Sequence, residues 1–259
     1  MIDNSLSAGS ITSNLGTHIL GRKVIYYPRL ASTMIVARQE ARRGALEGTA
    51  VVADEQTAGR GRLKRTWLSP KGSLALSVIL YPSLANLPSL IMLASLAVVH
   101  AIEAVTGLWS QIKWPNDVLV GGRKVCGILI ESSVRGKVVD YAVIGIGINV
   151  NLRLADFPEI ESMATSLSDE LGSPVPRLGL VRRLLVEMER LYLALQAGGS
   201  VYEEWRDRLV TLGQRVRVKS WASVYEGVAE SVGRDGSLHL RHPDGRLSKI
   251  VAGDATLHA

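Results

Sequence analysis

At 259 residues and 28.0 kDa the chain is long enough for one large domain, or for a medium domain with a small appendage, and either leaves room for a sizeable core. A hydrophobic fraction of 47% and a mean hydropathy of +0.17 exclude a disordered chain, and no apolar run approaches the roughly 20 residues of a membrane span, so no membrane association is expected. Cys126 is the only cysteine, which excludes an intramolecular disulfide and fits a reducing, cytoplasmic setting. The formal charge of +6 and pI near 9.6 favour anionic partners: nucleotides, nucleic acid or an acidic protein. His18, His100, His239, His242 and His258 are scattered, without the ligand spacing of a zinc site.

The first twenty residues are dominated by Ser, Asn, Gly and Thr, without the basic and apolar regions of a signal peptide, and read as a loose N-terminal arm. Val24 to Tyr27 predicts a strand. Ser32 then serves as N-cap of a helix from about Thr33 to Arg43 that stops at Gly44. Thr49 to Glu55 and Leu74 to Tyr81 predict strands on either side of a basic glycine-containing loop, and Leu90 to Val105 carries a helical pattern. Val118 to Val120 pairs with Lys124 to Glu131 across Gly121-Gly122, a two-residue hairpin turn, and Val138 to Val150 predicts a further long strand. Between Arg177 and Ala197, Val181, Leu184, Leu185, Met188, Leu191, Tyr192 and Leu195 recur at three- and four-residue steps, the stripe of a core-packing helix. From about residue 212 the texture changes to short strands with turns at Gly233-Arg234-Asp235-Gly236 and His242-Pro243-Asp244-Gly245. Residues 1–211 are therefore expected to form a mixed α/β domain and residues 212–259 a small β-barrel.

Four segments stand out. In Glu55-Gln56-Thr57-Ala58-Gly59-Arg60-Gly61-Arg62-Leu63-Lys64-Arg65-Thr66-Trp67, glycines let the backbone approach a ligand and arginines supply planar donors for phosphate or carboxylate. A solvated basic loop or nonspecific nucleic-acid contact fits the same run. Lys113-Trp114-Pro115-Asn116-Asp117 ends a short strand and reads equally as a structural turn, since proline lacks a donor and Asn and Asp favour turns. Arg123-Lys124-Val125-Cys126-Gly127-Ile128-Leu129-Ile130-Glu131 heads a strand with a lysine that could simply be a surface residue, with Gly127 permitting close approach. Gly145-Ile146-Gly147-Ile148-Asn149-Val150-Asn151 puts glycines on one strand face and isoleucines on the other. It is not a dinucleotide fingerprint, because no helix opens behind the glycines.

In order and content these segments resemble the biotin protein ligases, from about Val24 to the C-terminus. The resemblance implies an α+β fold: a mixed-sheet catalytic domain of the biotin/lipoate ligase and class II synthetase-like type, followed by a small C-terminal β-barrel. It implies an AMP-forming ligase that makes biotinyl-5′-AMP from biotin and ATP with Mg²⁺. The acceptor would be a lysine of the biotin carboxyl carrier protein of acetyl-CoA carboxylase or a related carboxylase. Some family members carry an N-terminal helix-turn-helix; with about twenty polar residues ahead of the catalytic domain, this chain is expected to be monofunctional, with no DNA partner, as a monomer or homodimer.

By the same resemblance Ser32, Thr33, Met34 and Gln56 bind biotin with Gly61, Lys124 and the backbone around Gly127, Arg60 and Arg62 belong to the biotin-binding loop that closes over the ligand, and Gly145 and Gly147 leave room beside the tail. Neutral donors and acceptors suit an uncharged ureido ring. Arg65, Trp67, Asn116 and Asn149 fall on the nucleotide side, and Arg62, Arg65 and Lys124 are the candidates for stabilising charge at the α-phosphate, with Lys124 and Arg62 taken as catalytic. Where the family loop often continues Gly-Arg-Gly-Arg-Arg-Gly-Arg, here Leu63-Lys64-Arg65 closes it. A lipoate–protein ligase and a nucleic-acid-binding module are the alternative readings.

Overall fold

The computed structural model describes residues 6–220 and 223–257. Its main sheet has seven strands: β1 (Val24–Tyr27), β2 (Ala50–Ala53), β3 (Leu74–Leu80), β4 (Ser110–Lys113), β5 (Asp117–Val120), β6 (Arg123–Arg135) and β7 (Val138–Ile148). They lie in the order β1-β2-β3-β7-β6-β5-β4. Only β1 and β2 run parallel. A parallel pair needs a crossover, and the helix α2 between them (Thr33–Arg42) supplies it. The predicted hairpin joins β5 to β6, and both of its glycines have positive φ (57° and 78°), as a type I′ turn requires.

β3 is buried along its whole length, so both faces of the sheet must be covered. Leu74, Leu76, Val78 and Leu80 of β3, with Ile144, Ile146 and Ile148 of β7, join the large core against the helices α3 (Leu90–Thr106) and α5 (Arg177–Gln196). All seven apolar residues predicted to face inward on α5 are buried. On the other face Val51, Ile79 and Val143 pack under Met34, Ala37 and Ala41 of α2. α2 covers only part of that face, and the uncovered part is where the site lies.

Residues 87–106 form a helix long and apolar enough to cross a membrane by length and composition, contrary to the sequence expectation. Its side chains Leu90, Leu93, Leu96 and Val99 have zero exposure in the core, which accounts for their apolarity without a lipid phase.

The N-terminal arm is also corrected. Residues 1–5 of it lie outside the described residues, but Leu6, Ile11, Leu15 and Leu20 belong to the main core, and α1 (Ala8–Thr12) carries a capping box between Ser7 and Ser10. Glu189 of α5, itself only 5% exposed, fixes the arm by accepting the backbone N–H groups of His18, Ile19 and Leu20 at 2.6, 2.7 and 2.7 Å.

After α4 (Leu167–Leu171) and α6 (Tyr202–Asp207) comes a five-stranded antiparallel sheet of β8 (Arg215–Ser220), β9 (Ser223–Val232), β10 (Leu238–Arg241), β11 (Leu247–Ile250) and β12 (Asp254–Leu257). Its order is β11-β10-β9-β8-β12, and the turns between β9 and β10 and between β10 and β11 fall at the two predicted glycine-containing sites. The two sheets share one core. Trp114, in the turn between β4 and β5, donates its indole N–H to the carbonyl of Gly236 at 2.9 Å and its backbone N–H to the Thr211 hydroxyl at 2.9 Å.

Candidate active site

Strand register builds the floor of the site. Ala53, Ala75, Gly147, Gly127, Asp117 and Lys113 stand in one line across β2, β3, β7, β6, β5 and β4. The middle of this line carries no side chain larger than a methyl, and the indole of Trp67 lies on the resulting shelf. A Cβ on Gly147 would come within 2.3 Å of Trp67 Nε1, and one on Gly127 within 3.1 Å of its Cζ3. One row deeper run Val51, Ser77, Gly145 and Leu129, and there a Cβ on Gly145 would meet Met34 Sδ at 2.5 Å. Above this floor opens a cavity of about 550 Å³, and every candidate residue named from the sequence lines it.

One end of the cavity is neutral. Gln56 Oε1 accepts from the backbone N–H of Thr33 at 2.9 Å and from its hydroxyl at 3.2 Å, and the Ser77 hydroxyl donates to Thr33 Oγ1 at 2.8 Å. Ser32 holds the N-cap position of α2, but against expectation its side chain makes no cap bond. Its hydroxyl is buried with no hydrogen-bond partner among the described residues. A buried hydroxyl left unmet costs about 1–3 kcal/mol, so this group is set to recover that on meeting a polar ligand.

The other end is cationic. In a regular strand Lys124 would share a face with Cys126, which lies in the core. The pairing of β5 with β6 slips between Val118 and Leu119, so that Val125 is the extra residue of a β-bulge. Val125 and Cys126 both turn into the core, and Lys124 is re-aimed into the cavity. Its ammonium lies 2.6 Å from Asp117 Oδ1 and 5.4 Å from the centroid of the Trp67 ring, while Lys113 Nζ reaches Asp117 Oδ2 at 3.8 Å. Arg62 donates to Asn116 Oδ1 at 3.2 Å, and Asn116 is itself fixed by donating to the Ile128 carbonyl at 2.8 Å. Burial weakens the hold of Arg62 on its proton, and Asp254 and Asp117 offset this only in part, so the net direction stays downward. Burial pushes the Cys126 thiol far above its ordinary range, so no thiolate is available as a nucleophile.

The basic loop is a short ladder. Trp67 N–H donates to the Gly59 carbonyl at 3.0 Å, and Gly61 N–H to that of Arg65 at 2.8 Å. Leu63 turns the tip with φ of 52°, a left-handed conformation unusual for a leucine. Arg65 pairs with Asp254 of β12 at 2.7 Å, so the C-terminal sheet holds one side of the loop.

The sequence model of the biotin/lipoate A/B protein ligase family matches residues 26–149. The chain is 38% identical over 258 residues to the bifunctional ligase/repressor BirA of Bacillus subtilis, covering 97% of this chain and 79% of that protein. It is 36% identical over 214 residues to the biotin--[acetyl-CoA-carboxylase] ligase of Paracoccus denitrificans, covering 78% and 88% respectively. The biotin protein ligase of Aquifex aeolicus, solved with biotin and ATP, superposes with a TM-score of 0.78 at 30% identity, over 92% of this chain and 99% of that one.

The chain belongs to the biotin protein ligase family.

Within this ligase, the shelf glycines work differently from the sequence expectation. Gly145 and Gly147 were expected to leave room beside the ligand, but that room is taken by Met34 and Trp67, which become the surfaces offered to the cavity. Asn149, expected on the nucleotide side, lines the cavity while donating to the Thr165 carbonyl at 3.0 Å, which fastens the segment carrying Met163 and Ala164 to the sheet. Two cavity carboxylates went unassigned in the sequence reading. Asp117 stands inside the Lys-Trp-Pro-Asn-Asp segment, whose 113/117 charge pair was a signal. Asp254 arrives from the far end of the chain, and no local pattern marks it.

Proposed function

We propose that this chain is an ATP-dependent biotin protein ligase that joins biotin to the α-phosphate of ATP and passes the biotinyl group to a lysine of a carrier protein. The observation that carries the reading is the polarity of the cavity, neutral hydrogen-bonding groups at one end and Lys124 with Arg62 at the other, in a chain of this family. Ser32, Thr33 and Gln56 suit the uncharged ureido ring, and Trp67 and Met34 suit the apolar body. The carboxylate then falls among the cations. One of its oxygens attacks the α-phosphorus, the bond to the bridging oxygen breaks, and pyrophosphate leaves.

Lys124 and Arg62 hold positive charge where negative charge gathers on the α-phosphate. Their partners Asp117 and Asn116 fix both groups before substrate arrives, so little reorganisation is needed. Among the described residues no three His, Cys, Asp or Glu side chains form a metal cluster. Mg²⁺ usually binds through substrate phosphates and one or two carboxylates, and Asp117 and Asp254 are the carboxylates that would hold it, lowering the charge repulsion between the two anions. In the second half the carrier's neutral lysine amine attacks the acyl carbon and AMP leaves. No covalent enzyme intermediate is involved.

We read residues 1–211 as the catalytic unit and residues 212–259 as a small β-unit that contributes Asp254. The acceptor is the biotin carrier of acetyl-CoA carboxylase or a related carboxylase, the setting is the cytoplasm, and the protein acts as a monomer or homodimer. Incubation with ATP, Mg²⁺ and either biotin or lipoate tests the substrate assignment. Pyrophosphate and the acyl adenylate are expected with biotin only, and lipoate adenylated at least as efficiently contradicts it.

A further inference from the structure

We propose that the groove past the C-terminal end of α2 is a second ligand site, distinct from the catalytic cavity, that takes a carboxylate carried on a flat apolar body. The groove measures about 710 Å³, within the range of small-molecule sites, and shares no lining residue with the catalytic cavity. From Ala75 of the catalytic row to Tyr81 of this groove the chain runs about 20 Å of extended backbone. β3 and β7 pair up to Leu80 and Ala142, so Tyr81 and Tyr141, one step further, stand side by side on the α2 face, in line with Ser133. The two rings form the floor. The end of α2 and the loop after it bring Arg42 and Leu46 to one side, and the β6–β7 hairpin brings Arg135 and Asp140 to the other.

The acceptors of the groove are already engaged. Asp140 accepts from Arg135 Nε at 2.8 Å and from the Ser133 hydroxyl at 3.0 Å, and Glu47 Oε1 accepts from the Tyr81 backbone N–H at 2.8 Å and the Tyr192 hydroxyl at 2.6 Å. The groups left unmet are donors. Tyr141 is only 8% exposed and lines the groove, yet its hydroxyl has no hydrogen-bond partner among the described residues. Among those residues the Arg42 guanidinium has no partner either, and Arg135 uses only Nε. Guanidinium forks match a carboxylate, and the tyrosine rings with Leu46, 72% exposed, offer a flat apolar surface. Arg42 lies in the last turn of α2 and offsets the negative end of the helix dipole. With Asp140 and Glu47 alongside, a single negative charge suits the groove better than the nearly two of a phosphate monoester.

The test is NMR titration of the full chain with phenylacetate, with neutral phenylacetamide, and with a blocked dipeptide carrying aspartate beside phenylalanine. Phenylacetate is expected to shift the Tyr81 and Tyr141 resonances with a Kd of about 1 mM or below, and phenylacetamide to bind at least about tenfold more weakly. Arg42→Ala and Tyr141→Phe, the second of which keeps the ring and its packing, should each weaken phenylacetate about five- to tenfold, while Lys124→Ala leaves it unchanged. A dipeptide that binds more tightly than phenylacetate makes the ligand an acidic segment of a partner protein, and the reverse order makes it a free organic acid; either order supports the site. Equal binding of acid and amide, no binding of either carboxylate, or a response lost in Lys124→Ala but kept in Arg42→Ala and Tyr141→Phe overturns the proposal.

Discussion

Lys124 and Lys113 share one carboxylate, at 2.6 and 3.8 Å from Asp117, but they are not equivalent. Lys124 is aimed into the cavity by the bulge at Val125, beside the Trp67 ring and the Gly127 shelf. Lys113 ends β4 and enters the proline turn. Lys124→Ala is therefore expected to slow single-turnover formation of biotinyl-AMP by about 10²–10³-fold, the usual loss of one preorganised charge at the reacting phosphate. Biotin binding should suffer much less, because the neutral contacts remain. A folded Lys124→Ala protein with near-normal rate, alongside a crippled Lys113→Ala, reverses the assignment. This lysine was legible as a candidate because it heads a quoted motif. Its orientation was not, because simple alternation from the core residue Cys126 points Lys124 to the wrong face, and a one-residue bulge leaves no mark in hydrophobic pattern.

At the level of elements, the strands and long helices were readable wherever one periodicity ran uninterrupted, as in α5 and the glycine hairpin between β5 and β6. The role of the shelf glycines was not readable, since it depends on Trp67 arriving from a loop some sixty to eighty residues earlier in the chain. The turn between β9 and β10 offers a test of pH linkage. Asp235 pairs with Lys249 at 2.7 Å and accepts from the Ser237 hydroxyl at 2.6 Å, and these contacts hold its carboxyl well below the usual range. A carboxylate depressed in the fold stabilises it above the ordinary Asp value of about 3.9 and loses that contribution as pH falls toward the folded value. The side chain is 44% exposed, so solvent screening limits the effect to about 0.5 kcal/mol. Asp235→Asn should lower the urea midpoint slightly at about pH 6, with the difference from wild type closing between about pH 4 and pH 2. A difference that is constant across this range contradicts the linkage.

Across the described residues, a segment near each end of the chain is fastened to the rest by a carboxylate that sequence gave no reason to single out. The N-terminal segment looked loose because polar residues outnumber Leu6, Ile11, Leu15 and Leu20, and its anchor, Glu189, lies about 170 residues away. Glu189→Ala strands one buried and two part-buried N–H groups and is expected to cost about 2 kcal/mol in urea denaturation; a loss below about 1 kcal/mol means that the segment is held by its apolar contacts alone. At the other end Asp254 holds Arg65, so Asp254→Asn should speed tryptic cleavage between Gly59 and Trp67, and biotin with ATP should suppress cleavage in the wild type. Equal cutting in all these states removes the proposed link between the C-terminal sheet and the loop. The central claim is the transfer itself. Intact-mass measurement of a biotin carrier domain incubated with this protein, biotin, ATP and Mg²⁺ should show a single added biotinyl group that requires ATP and the acceptor lysine; an unmodified carrier, with biotinyl-AMP absent from the mixture, would contradict it.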